Sequence, residues 1–125
     1  MYERLCYISG PYTAPKEWQV EQNIRAAEAA HIALLKKGWS AINPHKMTAH
    51  LGGAVVFDYD ENHDMFLAGD CAIIKRLKPY PGWDAMYMLP GWQNSKGART
   101  EREVAIACGL TIYERMDDVP DLMKD

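Results

Sequence analysis

A chain of 125 residues suffices for one domain that buries about two thirds of its unfolded surface without disulfide or metal staples. Its 14 basic and 17 acidic residues leave a formal charge of -3, without the positive excess that neutralises phosphates, so the expected partner is a small molecule and not a nucleic-acid polymer. Cys6, Cys71 and Cys108 form no C-x-x-C pair and sit in apolar contexts, which reads as inert thiols in a reducing, cytoplasmic setting. No signal-peptide core and no run of apolar residues long enough for a membrane span is present, so neither export nor insertion is expected.

In chain order, "RLCYIS" (4–9) is a β-rich run that stops at Gly10-Pro11, a strong punctuation of structure. From Lys16 to Lys37, apolar residues recur at Val20, Ile24, Ala27, Ala30, Leu34 and Leu35. This near-3.6 period predicts a helix, with Lys36 and Lys37 in its last turn and Gly38 as its stop. "WSAIN" (39–43) reads as a second strand ended by Pro44. Residues 44–60 show no period, and His45 to Tyr59 is long enough to be expected as a mobile lid over a ligand. A helix is predicted from about Asp60 to Lys75, with Asp60, Glu61 and Asp64 near its positive end. "DAMYML" (84–89) reads as a third strand closed by Pro90-Gly91. A short helix from about Thr100 to Cys108 and a fourth strand, "LTIY" (110–113), follow, and the tail "MDDVPDLMKD" suggests a last helical turn.

A strand, a long helix and a strand at this spacing make a βαβ unit. The whole order implies an α/β fold: one domain over residues 1–125, with a small doubly wound parallel sheet in three layers. Ligands of such sheets sit beyond the carboxyl ends of the strands, where the strand order reverses. The loops expected there, 9–13, 43–60 and 89–100, carry Tyr12, His45, His50, Trp92, Asn94, Ser95, Lys96 and Arg99, with Glu103 just inside the following helix.

Neither G-x-x-x-x-G-K-[ST] nor G-x-G-x-x-G is present, so no P-loop or dinucleotide site is supported. Ser95, Lys96 and Gly97, with the free amides of the next helix start, offer donors to an anion, although a Gly-Ser-Lys loop before a helix is more often a plain turn. His45, His50, Asp58, Asp60, His63 and Asp64 follow no zinc spacing, so no metal and no cofactor is expected. Glu103 has two readings: a solvated i,i+4 ion pair with Arg99, or a first-turn carboxylate kept ionised by the helix dipole and suited to nucleophilic attack. Asp84 reads most simply as a strand-end residue bound to backbone, and alternatively as a group that orients or protonates a ligand. Tyr12 and His45, just past the first two strands, are the side chains expected against the flat part of a ligand.

"YISGPY" (7–12), "NP" (43–44), "WDAMYMLPGW" (83–92) and "SKGARTEREVAIACGL" (95–110) resemble the nucleoside 2-deoxyribosyltransferase-like superfamily, and within it the short phage and prophage members of uncharacterised function. The resemblance runs from Leu5 to Tyr113. It implies cleavage or transfer at the N-glycosidic bond of a (deoxy)nucleoside, with Glu103 as the nucleophile that forms a glycosyl-enzyme, Asp84 assisting the leaving base and Tyr7 hydrogen-bonding near the nucleophile. The matching loops make Gly10, Pro11, Tyr12, Asn43, His45, Trp92, Asn94, Ser95, Lys96, Gly97 and Arg99 the expected substrate-binding set. The related nucleotide N-glycosidases place a serine and basic residues around a 5′-phosphate, a role open to Ser95, Lys96 and Arg99. A silent nucleotide-binding module is the other alternative, because a fold alone does not set chemistry. Finally, Trp18, Trp39, Trp83 and seven methionines exceed the needs of one small core and suggest a homo-oligomer.

Overall fold

The computed structural model describes residues 1–48, 59–79 and 82–124, with backbone alone for 48 and 59–63. Eight elements follow in chain order: β1 (Leu5–Ser9), α1 (Glu17–Lys36), β2 (Ser40–Ile42), α2 (Pro44–Thr48), α3 (Tyr59–Ile74), β3 (Ala85–Met88), α4 (Lys96–Ala107) and β4 (Thr111–Tyr113). The strands form one parallel sheet in the order β2-β1-β3-β4. The expected doubly wound α/β architecture is therefore present.

The two faces of the sheet are sorted by the period-2 alternation of the strands. Cys6 and Ile8 of β1 meet Ala27, Ala30 and Leu34 of α1 on one face. Tyr7 of β1 and Met86 and Met88 of β3 meet Ile74 of α3 and Ala98 and Ala105 of α4 on the other. β1 leads to a helix on the first face and β3 to one on the second, so the chain winds away in opposite directions from this central pair. The reversal point lies at Ser9 and Met88, which are register partners at the carboxyl ends of the two strands.

α1 ends as its sequence predicts. Gly38 takes a left-handed backbone, φ 89°, a conformation with little steric penalty for glycine, and its amide closes on Leu35 O at 3.1 Å. The C-terminal tail forms a 3-10 turn at Met116–Asp118 and then folds beneath the amino ends of the strands. There Lys37 Nζ donates to Met116 O and Val119 O, and Trp39 Nε1 donates to Pro120 O at 2.8 Å. Trp39 is a fully buried core residue, not part of an association surface.

Two elements depart from the sequence reading. α2 is a short helix where no period is visible; Asn43 starts it by accepting the Lys46 amide on Oδ1. α4 begins four residues before Thr100, because the Ser95 hydroxyl accepts the Ala98 amide at 3.1 Å and caps the helix there. Serine in that geometry is a favoured N-cap, and the earlier start changes which acid faces the sheet.

Candidate functional site

Along α4 the buried residues are Ala98, Glu101 and Ala105, an i, i+3, i+7 stripe that turns one side of the helix to the sheet. Glu103 lies two residues, or about 200°, from Glu101 around the helix, and it is exposed. This corrects the sequence reading: the inward carboxyl group is Glu101, not Glu103. The correction follows from the Ser95 cap, which puts Glu103 in the middle of the helix and outside the first turn. The Arg99 guanidinium donates to Gln93 O at 2.7 Å, and among the described residues no ion pair joins it to Glu103.

Glu101 meets β1. Tyr7 and Ser9 are two residues apart on the strand and therefore share a face. The Tyr7 hydroxyl donates to Glu101 Oε2 and the Ser9 hydroxyl to Glu101 Oε1, each at 2.8 Å. Both donors are buried. From α3, the Asp70 carboxyl stands against both Glu101 and Tyr7. Four polar groups from three elements thus converge beside the reversal point of the sheet, where ligand sites of this architecture fall. Tyr7 was expected in the site, whereas Ser9, Asp70 and Glu101 were not among the residues singled out.

The electrostatics of the cluster follow from two carboxyl groups in a confined, poorly solvated space. Burial and then the charge of Asp70 push the Glu101 carboxyl up to about 8, against partial relief from the Ser9 and Tyr7 hydroxyls. Burial also raises Asp70. Two acids that cannot both ionise cheaply share a proton near neutrality. The Tyr7 phenol is held neutral, chiefly by burial and then by the Glu101 charge.

Asp84 is a structural residue at the other end of the sheet. Its Oδ1 accepts the Leu5 amide at 2.8 Å and its Oδ2 the Lys78 amide at 2.7 Å, tying the starts of β1 and β3 to the segment after α3. Four strand steps of about 3.3 Å separate Leu5 from Ser9, so Asp84 is roughly 13 Å from the carboxyl ends. These two bonds are those of the simple strand-end reading.

The loop residues divide in the same way. Gly10 marks a close approach: a Cβ there would lie 2.5 Å from the Leu89 Cβ, so the ends of β1 and β3 meet only with glycine. Pro11 O accepts a hydrogen bond from His45 Nε2 at 2.7 Å, and the His45 ring stands edge-on to Tyr12 with centroids 5.3 Å apart. Burial holds His45 below the usual imidazole range, consistent with a neutral ring that fixes the loop after β1. Asn43, also buried, contacts His31 Nδ1 at 3.4 Å; with its cap on α2 this makes it a scaffold residue. Trp92 is half-buried, its indole N–H bound to Glu114 Oε1 at 2.8 Å and its ring covered by Arg102 at 4.7 Å. Asn94, Lys96 and Arg99 are exposed and Gly97 half-buried around the start of α4. Most of the expected lid, residues 49–58, lies outside the described residues, as do His50 and Asp58.

Beside the carboxyl cluster lies an open, largely apolar hollow of about 390 Å³ lined by His31, Ala41, Ile42, Asn43, Lys46, Met47 and Ile73. Ile42 is the register partner of Tyr7, and Ile73 is about one turn from Asp70 on α3. The volume is of the size that takes a small organic ligand. Among the described residues no group of three metal-binding side chains is found, and no helix is long and apolar enough to cross a membrane.

Fold and site together define a small α/β protein with two apposed carboxyl groups, Glu101 buried and Asp70 half-buried, at the switch point of its sheet. Residues 4–114 match the family described as Domain of unknown function (DUF4406), and the chain belongs to that family. A search of curated proteins finds no match to it.

Proposed function

We propose that this protein cleaves or transfers the N-glycosidic bond of a (deoxy)nucleoside or its 5′-monophosphate, with Glu101 as nucleophile and Asp70 as proton donor. The observation that carries the reading is the apposed Glu101–Asp70 pair, with Glu101 held by Tyr7 and Ser9 beside an apolar hollow. One carboxylate that attacks a sugar carbon and a second carboxyl that supplies a proton is the division of labour of retaining glycosyl transfer. The resemblance to the nucleoside 2-deoxyribosyltransferase-like superfamily supports the same chemistry, and a tyrosine at the end of the first strand bonded to the glutamate fits it once Glu101 takes the part expected of Glu103. The aspartate role passes from Asp84 to Asp70 because Asp70 is the acid in contact with the nucleophile.

The reacting form has the shared proton on Asp70. The Glu101 carboxylate attacks the anomeric carbon while the bond to the base nitrogen breaks, and the Asp70 proton goes to the departing base. Asp70, now ionised, takes a proton from the incoming acceptor, water or a second base, as that acceptor displaces Glu101 from the sugar. The nucleophile and the proton donor are both regenerated. The apolar hollow seats the base, and the start of α4, with Ser95, Lys96 and Gly97, faces the sugar 5′ position. Exposed Trp18, Ile32, Leu35 and Met47 favour self-association, which light scattering at micromolar concentration tests: a dimer or larger is expected, and a 14 kDa monomer with full turnover rejects it.

The test is a panel of nucleosides and 5′-monophosphates, with and without a free acceptor base, followed by chromatography of base and exchanged product. Release or exchange of base by the parent and its loss in Glu101→Gln is the expected result. Binding of a nucleotide without release of base by the parent would instead identify a silent binding module.

A further inference from the structure

The hydrogen-bond arithmetic of the cluster singles out one residue whose part the reaction scheme leaves open. Tyr7 stands beside both acids and lowers both, its one hydroxyl proton going to Glu101 Oε2. The contact between Glu101 and Asp70 raises Glu101 and lowers Asp70, and so favours the proton on Glu101. Ser9 is one-sided: its hydroxyl bonds Glu101 Oε1 at 2.8 Å, and among the described residues no hydrogen bond joins it to Asp70. It is also immobile, fully buried at the last position of β1, with its carbonyl accepting the Leu89 amide at 2.7 Å. A hydroxyl fixed by the strand backbone and donating to Glu101 alone works against the pair's preference for a protonated Glu101.

We propose that Ser9 is the positioning residue that draws the shared proton away from Glu101 and towards Asp70, and so settles which acid is the nucleophile and which the proton donor. Its hydroxyl donates best to an ionised oxygen, so each Ser9–Glu101 bond favours the arrangement with Glu101 charged. It also fixes the rotation of the carboxylate: Oε1 is held by Ser9 and Oε2 by Tyr7, presenting one plane to the reversal point. The titratable groups facing Glu101 are Tyr7, Asp70 and Cys71. Tyr7 bonds Oε2, so it does not replace Ser9 at Oε1. The meaning of the bias for chemistry rests on the glycosyl-transfer reading, but the bias itself does not.

The experiment is a carbon-13 NMR titration of glutamate side-chain carboxyl carbons in the parent, Ser9→Ala, Ser9→Thr and Ser9→Cys proteins, with Glu101 assigned by its absence in Glu101→Gln. In Ser9→Ala the Glu101 titration should move up by about one pH unit or more, a tenfold smaller ionised fraction. Ser9→Thr, which keeps the hydroxyl, should return it towards the parent, and Ser9→Cys, a weak donor, should fall between. With an active substrate, Ser9→Ala should lower kcat about tenfold with KM unchanged and shift the pH profile by the same interval. An unmoved Glu101 titration in Ser9→Ala, or in Ser9→Cys should the alanine variant not fold, overturns the proposal. Absence of turnover on every nucleoside, with the titration shifted as expected, supports Ser9's role and removes the N-glycosidic reading alone.

Discussion

Asp84 and Glu101 are both buried carboxyl residues hydrogen-bonded to β1, one at each end of the strand, yet their surroundings are opposite in kind. Asp84 receives two backbone amides, from Leu5 and Lys78, donors fixed in place by the chain itself. Glu101 receives two side-chain hydroxyls and faces a second acid, Asp70, that opposes its charge. The first arrangement is satisfied and contributes to folding. The second is held in tension by its neighbours, as groups poised to exchange protons with a ligand are. Burial alone therefore does not distinguish a structural acid from a reactive one; the chemical identity of the partners does.

The widest separation between the two ends should appear in turnover. Glu101→Gln should lower it by more than about 10⁴-fold, beyond the roughly 10²- to 10⁴-fold that a proton-transfer group supplies, while Asp84→Asn should retain activity per folded molecule. Steady-state rates on the responsive substrate check both, and a Glu101→Gln rate within tenfold of the parent would sink the assignment. Asp70→Asn comes next: a loss of about 10² to 10⁴, accompanied by a Glu101 titration that moves down because the opposing charge has gone.

Stability should reverse the ranking. Asp84→Ala leaves the Leu5 and Lys78 amides without their acceptor, at about 1–3 kcal/mol each, so chemical denaturation should show a loss of roughly 2–6 kcal/mol. Glu101→Gln should be neutral or stabilising, since the amide oxygen still accepts a hydroxyl and no charge is buried.

A pH series sharpens this further. The folded value of Glu101, about 8, lies above its ordinary 4.5, so the folded chain holds this proton more tightly than the unfolded one. The resulting stability is fully present below about 4.5 and is lost as pH rises towards about 8. Urea unfolding from mildly acid to mildly alkaline pH should show a decline on the order of a few kcal/mol, flattened in Glu101→Gln. The smallest effect is expected at Glu103: Glu103→Gln, on the exposed side of α4, should change both turnover and stability within error, and a large loss of turnover would restore Glu103 to the site.

Local pattern in the sequence is enough for the fold of this protein. The 3.6 period from Lys16 to Lys37, the stop at Gly38, the short apolar strands and their spacing require only near neighbours in the chain, and the parallel doubly wound sheet follows from them. The region of the site was legible for the same reason, because a doubly wound sheet binds at the carboxyl ends of its strands. Tyr7 was singled out in the sequence and Glu101 was not, for reasons that differ in range. The strand alternation that turns Tyr7 inward is local. The phase of α4 depends on where the helix starts, and the available signal, Ser95 three residues before an amide it could cap, was outweighed by Gly97 in the predicted loop. The inward stripe Ala98, Glu101, Ala105 follows directly once that start is known. Asp70 and Ser9 carried no signal of their own: a lone acid within a helix and a serine at a strand end are ordinary in sequence. Only the packing of α3 and α4 on the same face of β1 brings Asp70, Tyr7, Ser9 and Glu101 within hydrogen-bonding distance, and it is this confinement, not the residue types, that makes two acids share one proton.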